Sequence, residues 1–217
     1  MSKVRVGLIR VLTTEDPALL SSHEKMVMRA FPDLQVLTRC IPNQPEGVYD
    51  ERTEAEARPK VVELAREMER EGMSAIFISC AGDPGLEESR KVVKLPVIGA
   101  GCSAALLALG LGNRVGSIGI TDEIPENMAR LLGKSLVAYK KPYGIKTALD
   151  LLHPKGKSAV LESAAKLKSE GVDVISLACT GMSTIGMATL IKKEIGLHVV
   201  DPVIAGGLFT WYAVQDI

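Results

Sequence analysis

Two stretches of this chain copy one another, and few folds accommodate such a copy. Residues 71–84 read EGMSAIFISCAGDP and residues 170–183 read EGVDVISLACTGMS. Aligned without gaps they share Glu71/Glu170, Gly72/Gly171, Ile76/Ile175, Cys80/Cys179 and Gly82/Gly181. In each copy Glu-Gly is positioned to close a helix, since glycine is the usual residue just past a helix C-terminus. An apolar run of strand length follows, and a Cys-x-Gly turn ends it. A further echo lies upstream: 114–118 (RVGSI) repeats 5–9 (RVGLI). Each half of the chain therefore carries one cysteine at the same point of the same unit, and the two thiols are expected to face one cleft.

The intervening segments alternate in the same way. Strands are predicted over 4–9, 34–40, 75–79 and 95–100, with helices over 17–30, 54–71, 83–93 and 102–109. The pattern then restarts, with strands over 114–118, 135–140, 172–178 and 197–201. Helices are predicted over 126–132, 158–170, 183–194 and 203–214. Alternation of this kind implies parallel sheets covered by helices. The predicted fold is α/β: two similar Rossmann-like or flavodoxin-like domains related by a pseudo-twofold, with the active site in the cleft between them. The expected division is 1–99 plus 205–217 for the first domain and 100–204 for the second, the closing helix returning to the first half. Ligands of such sheets bind outside the carboxyl ends of the strands. Three local expectations accompany this. The 41–53 loop is either a lid or a solvated connection. Pro59 is awkward inside a helix, so that helix is expected to start near it. Asp83-Pro84 reads as the N-cap and first position of the helix that follows.

Charge and composition remove several function classes. The formal net charge is +0 and aromatics are 4% of the 217 residues, so neither a basic footprint nor a stacking platform for nucleic acid is present. No charge-free apolar run reaches membrane length, and the N-terminal MSKVRVGLIRVL is too short for a signal peptide. A cytoplasmic location is expected, with no membrane or nucleic-acid partner. The expected partners are a small-molecule substrate and further copies of the chain, as a homo-oligomer. The four cysteines, Cys40, Cys80, Cys102 and Cys179, show no zinc-ligand spacing and need not staple a chain this long. No metal site and no cofactor are expected.

Cys80 and Cys179 each end a strand just before a helix, where a helix N-terminus would lower the thiol pKa. Gly82 and Gly181 let backbone N–H groups approach a bound anion. One thiolate on each face of a carbon acid makes a racemase that needs no cofactor: one cysteine takes the α-proton, N–H groups hold the enolate, and the other returns a proton from the opposite side. Thr13, Thr14 and Thr121 follow the two equivalent first strands and are candidate partners for substrate oxygens or amides. Cys102 is read as packing at a helix start, and Cys40 as buried in or just after a strand.

These motifs resemble the Asp/Glu/hydantoin racemase superfamily, and most closely its hydantoin and allantoin racemase branch. The residues that carry the likeness are Cys80-Ala81-Gly82-Asp83-Pro84-Gly85-Leu86, Cys179-Thr180-Gly181-Met182 and Asp201-Pro202-Val203. Glutamate and aspartate racemases usually have Asn-Thr after the first cysteine, where this chain has Ala81-Gly82. The loop Arg10-Val11-Leu12-Thr13-Thr14 departs from the Asn-Pro-Asn-Ser/Thr run of the hydantoin branch. The resemblance implies Cys80 and Cys179 as the catalytic pair, with Ala81, Gly82, Asp83, Thr180 and Gly181 around the substrate. It implies a 5-substituted hydantoin as substrate. Rival readings are an aspartate or glutamate racemase, a maleate-isomerase-like enzyme in which a cysteine adds to a double bond, and a non-catalytic binder on the same fold. His23, His153 and His198 match no position of the family; His198 is read as a core or edge residue of its strand.

Overall fold

A computed structural model of the chain describes residues 3–215. The first half holds strands β1 (Val4–Arg10), β2 (Leu34–Cys40), β3 (Ala75–Ser79) and β4 (Val97–Gly99). The second holds β5 (Val115–Gly119), β6 (Leu136–Lys140), β7 (Val174–Ala178) and β8 (His198–Val200). They form two four-stranded sheets, ordered β2-β1-β3-β4 and β6-β5-β7-β8, parallel throughout. The two orders are the same, so the duplication read from sequence is a duplication of topology. Both central strands β3 and β7 are buried along their whole length, as strands covered on two faces must be.

The echoed residues have matching mechanical roles. Helix α2 (Glu51–Arg70) precedes β3 and α6 (Pro154–Ser169) precedes β7. Gly72 and Gly171 take left-handed φ values of 78° and 74° directly after them. At the first, the Gly72 N–H bonds Glu69 O and the Met73 N–H bonds Met68 O; at the second, Gly171 bonds Lys168 O and Val172 bonds Leu167 O. That pair of bonds is the Schellman motif, and its apolar contact is made by Met68 with Met73 and by Leu167 with Val172, within each half's core. The repeated first-strand glycines receive the same two helix residues. A side chain at Gly7 would overlap Met68, and one at Gly116 would begin 3.0 Å from Leu167.

Helices cover both faces of each sheet. In the first half α2 and α3 (Leu86–Val92) lie on one face, and α1 (Pro17–Ala30) with α9 (Pro202–Ala213) on the other. In the second, α6 and α8 (Met187–Ile195) lie on one face, and α4 (Ala100–Leu109) with α5 (Glu126–Leu132) on the other. The closing helix α9 thus packs on the first sheet: Gly206 admits the ring of Phe77, and Trp211 stacks on Phe31 with ring centres 6.2 Å apart. Among the described residues no helix is long and apolar enough to cross a membrane.

Several sequence expectations are corrected. Helix α2 begins at Glu51, well before Pro59, because Asp50 and Thr53 form a reciprocal cap. Pro59 therefore lies inside the helix, on its exposed side, where water can satisfy the Ala55 carbonyl that proline leaves without a donor. Helix α6 starts at Pro154 rather than residue 158, using proline at its first position. The segment predicted as one helix over 183–194 is two, α7 (Thr180–Thr184) and α8, broken at Gly186 with φ 73°. Asp83 does not cap the helix after it. Its own φ is 51°, α3 starts only at Leu86, and its carboxylate turns instead onto the start of α4, accepting from Gly101 N at 2.9 Å and Cys102 N at 2.7 Å.

Candidate active site

The carboxyl ends of β3 and β7 deliver Cys80 and Cys179 to the wall of a single cavity of about 950 Å³. Both thiols are free and buried, at 9% and 7% exposure. Ala81, Gly82, Asp83, Thr121, Thr180 and Gly181 line the same cavity. Thr13 and Thr14 are not among its lining residues. The Thr13 hydroxyl donates to Ile41 O at 2.6 Å and accepts from Gln44 N at 2.8 Å, tying down the following loop, while Thr14 accepts from Asp16 N at the entry to α1. Thr121 donates to Glu123 O at 2.6 Å and meets the Tyr139 hydroxyl.

The loop between β2 and α2 forms part of the wall through Gly47, Val48, Tyr49 and Asp50. It is held by the buried Gln44, whose amide donates to Gly47 O and Thr53 O. Tyr49, from the first half, packs against the core of the second. The loop is therefore an ordered cover across the two halves.

The thiols are harder to ionise than their place in the sequence implies. Burial pushes Cys80 far above the ordinary thiol range; the Gly82 N–H draws it back, while Asp83, Cys179 and Glu54 raise it further. Burial also pushes Cys179 up, to about 11, against the N–H groups of Gly181 and Met182 and the charge of Arg10. The expected lowering fails for a geometric reason. The helix after Cys80 begins only at Leu86, and α7 behind Cys179 has just five residues, so little helix dipole opposes desolvation. Cys179 is the easier of the two to deprotonate.

Asp83 is raised to about 6 by burial, in opposition to its bonds from Cys102, Gly101 and Asn127. Cys102, in the first turn of α4, also faces the cavity; burial and the nearby Asp83 carboxylate push it up to about 12. Cys40 is half-buried at the end of β2. His153 precedes α6, and His198 is exposed at the start of the edge strand β8. Among the described residues no group of three or more His, Cys, Asp or Glu could hold a metal ion.

Two residues of the cavity wall, Arg10 and Glu54, and one behind it, His23, escaped the sequence reading. Arg10 ends β1 with 5% exposure, its guanidinium donating to Leu19 O at 2.7 Å and to Ser22 Oγ at 3.1 Å. A cation closing a buried strand was the signal for it. Glu54 lies on α2, its Oε1 paired with Arg58 at 2.7 Å and its Oε2 3.5 Å from where a Gly82 side chain would begin. His23 is fully buried, with Nδ1 against the hydroxyl of Ser79 at the end of β3; nothing in its local sequence marks it.

Comparison with known proteins places this geometry among relatives. The Asp/Glu/hydantoin racemase family model matches residues 6–207. A hydantoin racemase of Pseudomonas sp. (strain NS671) is 32% identical over 178 residues, 76% of this chain and 66% of that protein. The aligned part spans about two thirds of the length of the curated relatives it matches. Among solved structures, allantoin racemase from Klebsiella pneumoniae superposes with a TM-score of 0.86 at 24% identity, covering 98% of this chain and 88% of the other. Glutamate racemase from Thermus thermophilus, in complex with β-chloro-D-alanine, gives 0.69 at 19% identity, covering 98% and 80%. At such identities these two likenesses show the shared fold.

Proposed function

The chain belongs to the Asp/Glu/hydantoin racemase family, and from that premise we propose that it is a cofactor-independent racemase of 5-substituted hydantoins, using Cys80 and Cys179 as base and acid on opposite faces of the ring. The observation that carries this reading is the placement of two buried thiols, at equivalent ends of duplicated strands, on one cavity. In the step we propose, one cysteine sulfur, as thiolate, takes the proton from C5. The electron pair of the C–H bond moves onto the adjacent carbonyl as an enolate, and the opposing thiol donates its proton to the other face of C5. The enzyme ends with the thiolate and thiol exchanged. Backbone N–H groups at Gly82, Gly181 and Met182, which already face the sulfurs, are suited to the developing negative charge. A thiol of raised pKa is a stronger base once ionised, which suits a weakly acidic C–H.

The charge around the cavity favours a neutral ring over an acidic amino acid. Nine Asp and Glu residues line it, against three arginines. Of those arginines, Arg10 is committed to backbone carbonyls and Arg58 to Glu54. An aspartate or glutamate substrate would bring two carboxylates into this field. The test is polarimetry with single enantiomers of several 5-substituted hydantoins, aspartate and glutamate, and a maleate assay alongside. Optical rotation is expected to decay with the hydantoins and to hold with the amino acids. Turnover of aspartate, glutamate or maleate without any hydantoin would reject the substrate assignment.

A further inference from the structure

Ser79 immediately precedes Cys80, and it is tied to the second half of the molecule twice. Its carbonyl accepts from the hydroxyl of Thr180, the residue directly after Cys179, at 3.2 Å. Its hydroxyl meets Nδ1 of His23 at 2.9 Å, and Nε2 of the same ring meets the Thr184 hydroxyl, at the end of α7, at 2.8 Å. His23 comes from the middle of α1, in the first half, and is 0% exposed; Ser79 is 1% exposed. One imidazole thus joins the end of the strand that presents Cys80 to the end of the helix that starts behind Cys179.

We propose that His23 is a positioning residue that fixes the separation of the two thiols, acting through Ser79 and Thr184; the inference rests on the two-thiol reading of the cavity. The chemistry of the ring suits the task. Burial, followed by the nearby Arg10 charge, holds the imidazole neutral. A neutral imidazole has one donor and one acceptor nitrogen, and each hydroxyl can supply the complementary role. The resulting bridge is short and indifferent to ordinary pH. Lysine or arginine could not replace it, having no acceptor. Inversion requires both sulfurs within reach of one carbon, whereas removal and return of a proton on one face requires only one. A bridge that sets the spacing should therefore matter far more to inversion than to same-face exchange.

Two measurements test this on the intact chain, with His23→Ala, Thr184→Val and the conservative Thr184→Ser. In deuterated water, the ratio of label entering unreacted enantiomer to label entering inverted product is expected to rise several-fold in His23→Ala and Thr184→Val, and to return toward the parent value in Thr184→Ser. A role in stability alone would lower both events together and leave that ratio fixed. The second measurement needs no substrate. A short bifunctional thiol reagent links Cys80 to Cys179, and the linked peptides are quantified by mass spectrometry; the yield is expected to fall several-fold in the same two variants. Thr184→Val preserves volume and decides the matter if His23→Ala does not fold. An unchanged ratio and an unchanged yield overturn the bridge while leaving the racemase intact. A fallen yield in a protein that turns over no hydantoin supports the bridge and rejects the substrate assignment instead.

Discussion

Cys80 and Cys179 occupy equivalent positions of the duplicated sequence but have unequal surroundings, and the inequality has consequences. Carboxylates of Asp83 and Glu54 stand near Cys80, while Arg10 stands near Cys179. Replacing either cysteine by alanine should abolish inversion in both directions, at a cost of about 10²–10⁴-fold. Each variant should still exchange the α-proton of one enantiomer with deuterated solvent, and the enantiomer should differ between the two, as read by NMR. If Cys102→Ala is inactive while either of these is unimpaired, the thiols have been paired wrongly. The pH dependence has a definite sign. Cys179 ionises near 11, so the active thiolate is scarce at neutral pH and kcat/KM should climb with pH, about tenfold per unit between roughly 7 and 10. A flat profile there would contradict Cys179 as the resting base. The same shift acts on stability. A raised thiol pKa in the folded chain means stability is full below the unfolded thiol value and is lost as pH rises toward 11.

At the level of elements, the duplicated Glu-Gly turn sets where each cysteine strand begins. Gly72 and Gly171 hold left-handed φ, and a Cβ at Gly72 would meet nothing within 4 Å. Gly72→Ala therefore isolates the backbone cost, about 1–2 kcal/mol, from any clash. Gly171→Ala should cost nearly the same, as read by a lowered denaturant midpoint with unchanged slope. Gly206→Ala tests a different limit, because its added methyl would overlap the buried ring of Phe77. Overpacking of this kind costs about 1–3 kcal/mol. These turns were legible because a left-handed position leaves a glycine in the sequence. The start of α2 was missed because an Asp-Thr cap is weaker punctuation than a proline, which read as a start though it lies inside the helix on its exposed face.

For the whole molecule, we propose that 1–99 with 205–217 and 100–204 are separate cooperative units. Native-state hydrogen exchange should then show β1–β4 and the part of α9 from residue 205 onward opening together, with a free energy distinct from that of β5–β8. A single shared value for all eight strands would reject the division. The sequence by itself determined the duplicated α/β fold, the equivalent strand ends and the two cysteines they carry. These follow from local rules: alternating patterns, helix-closing glycines and strand-length apolar runs act within a few residues of chain. Only the tertiary structure decided how the site behaves. Whether Cys179 ionises near 11, whether Asp83 caps its own helix or α4, and whether His23 spans the two halves all depend on desolvation and on residues far apart in the chain. Burial and charge act through space, and a linear reading has no measure of them.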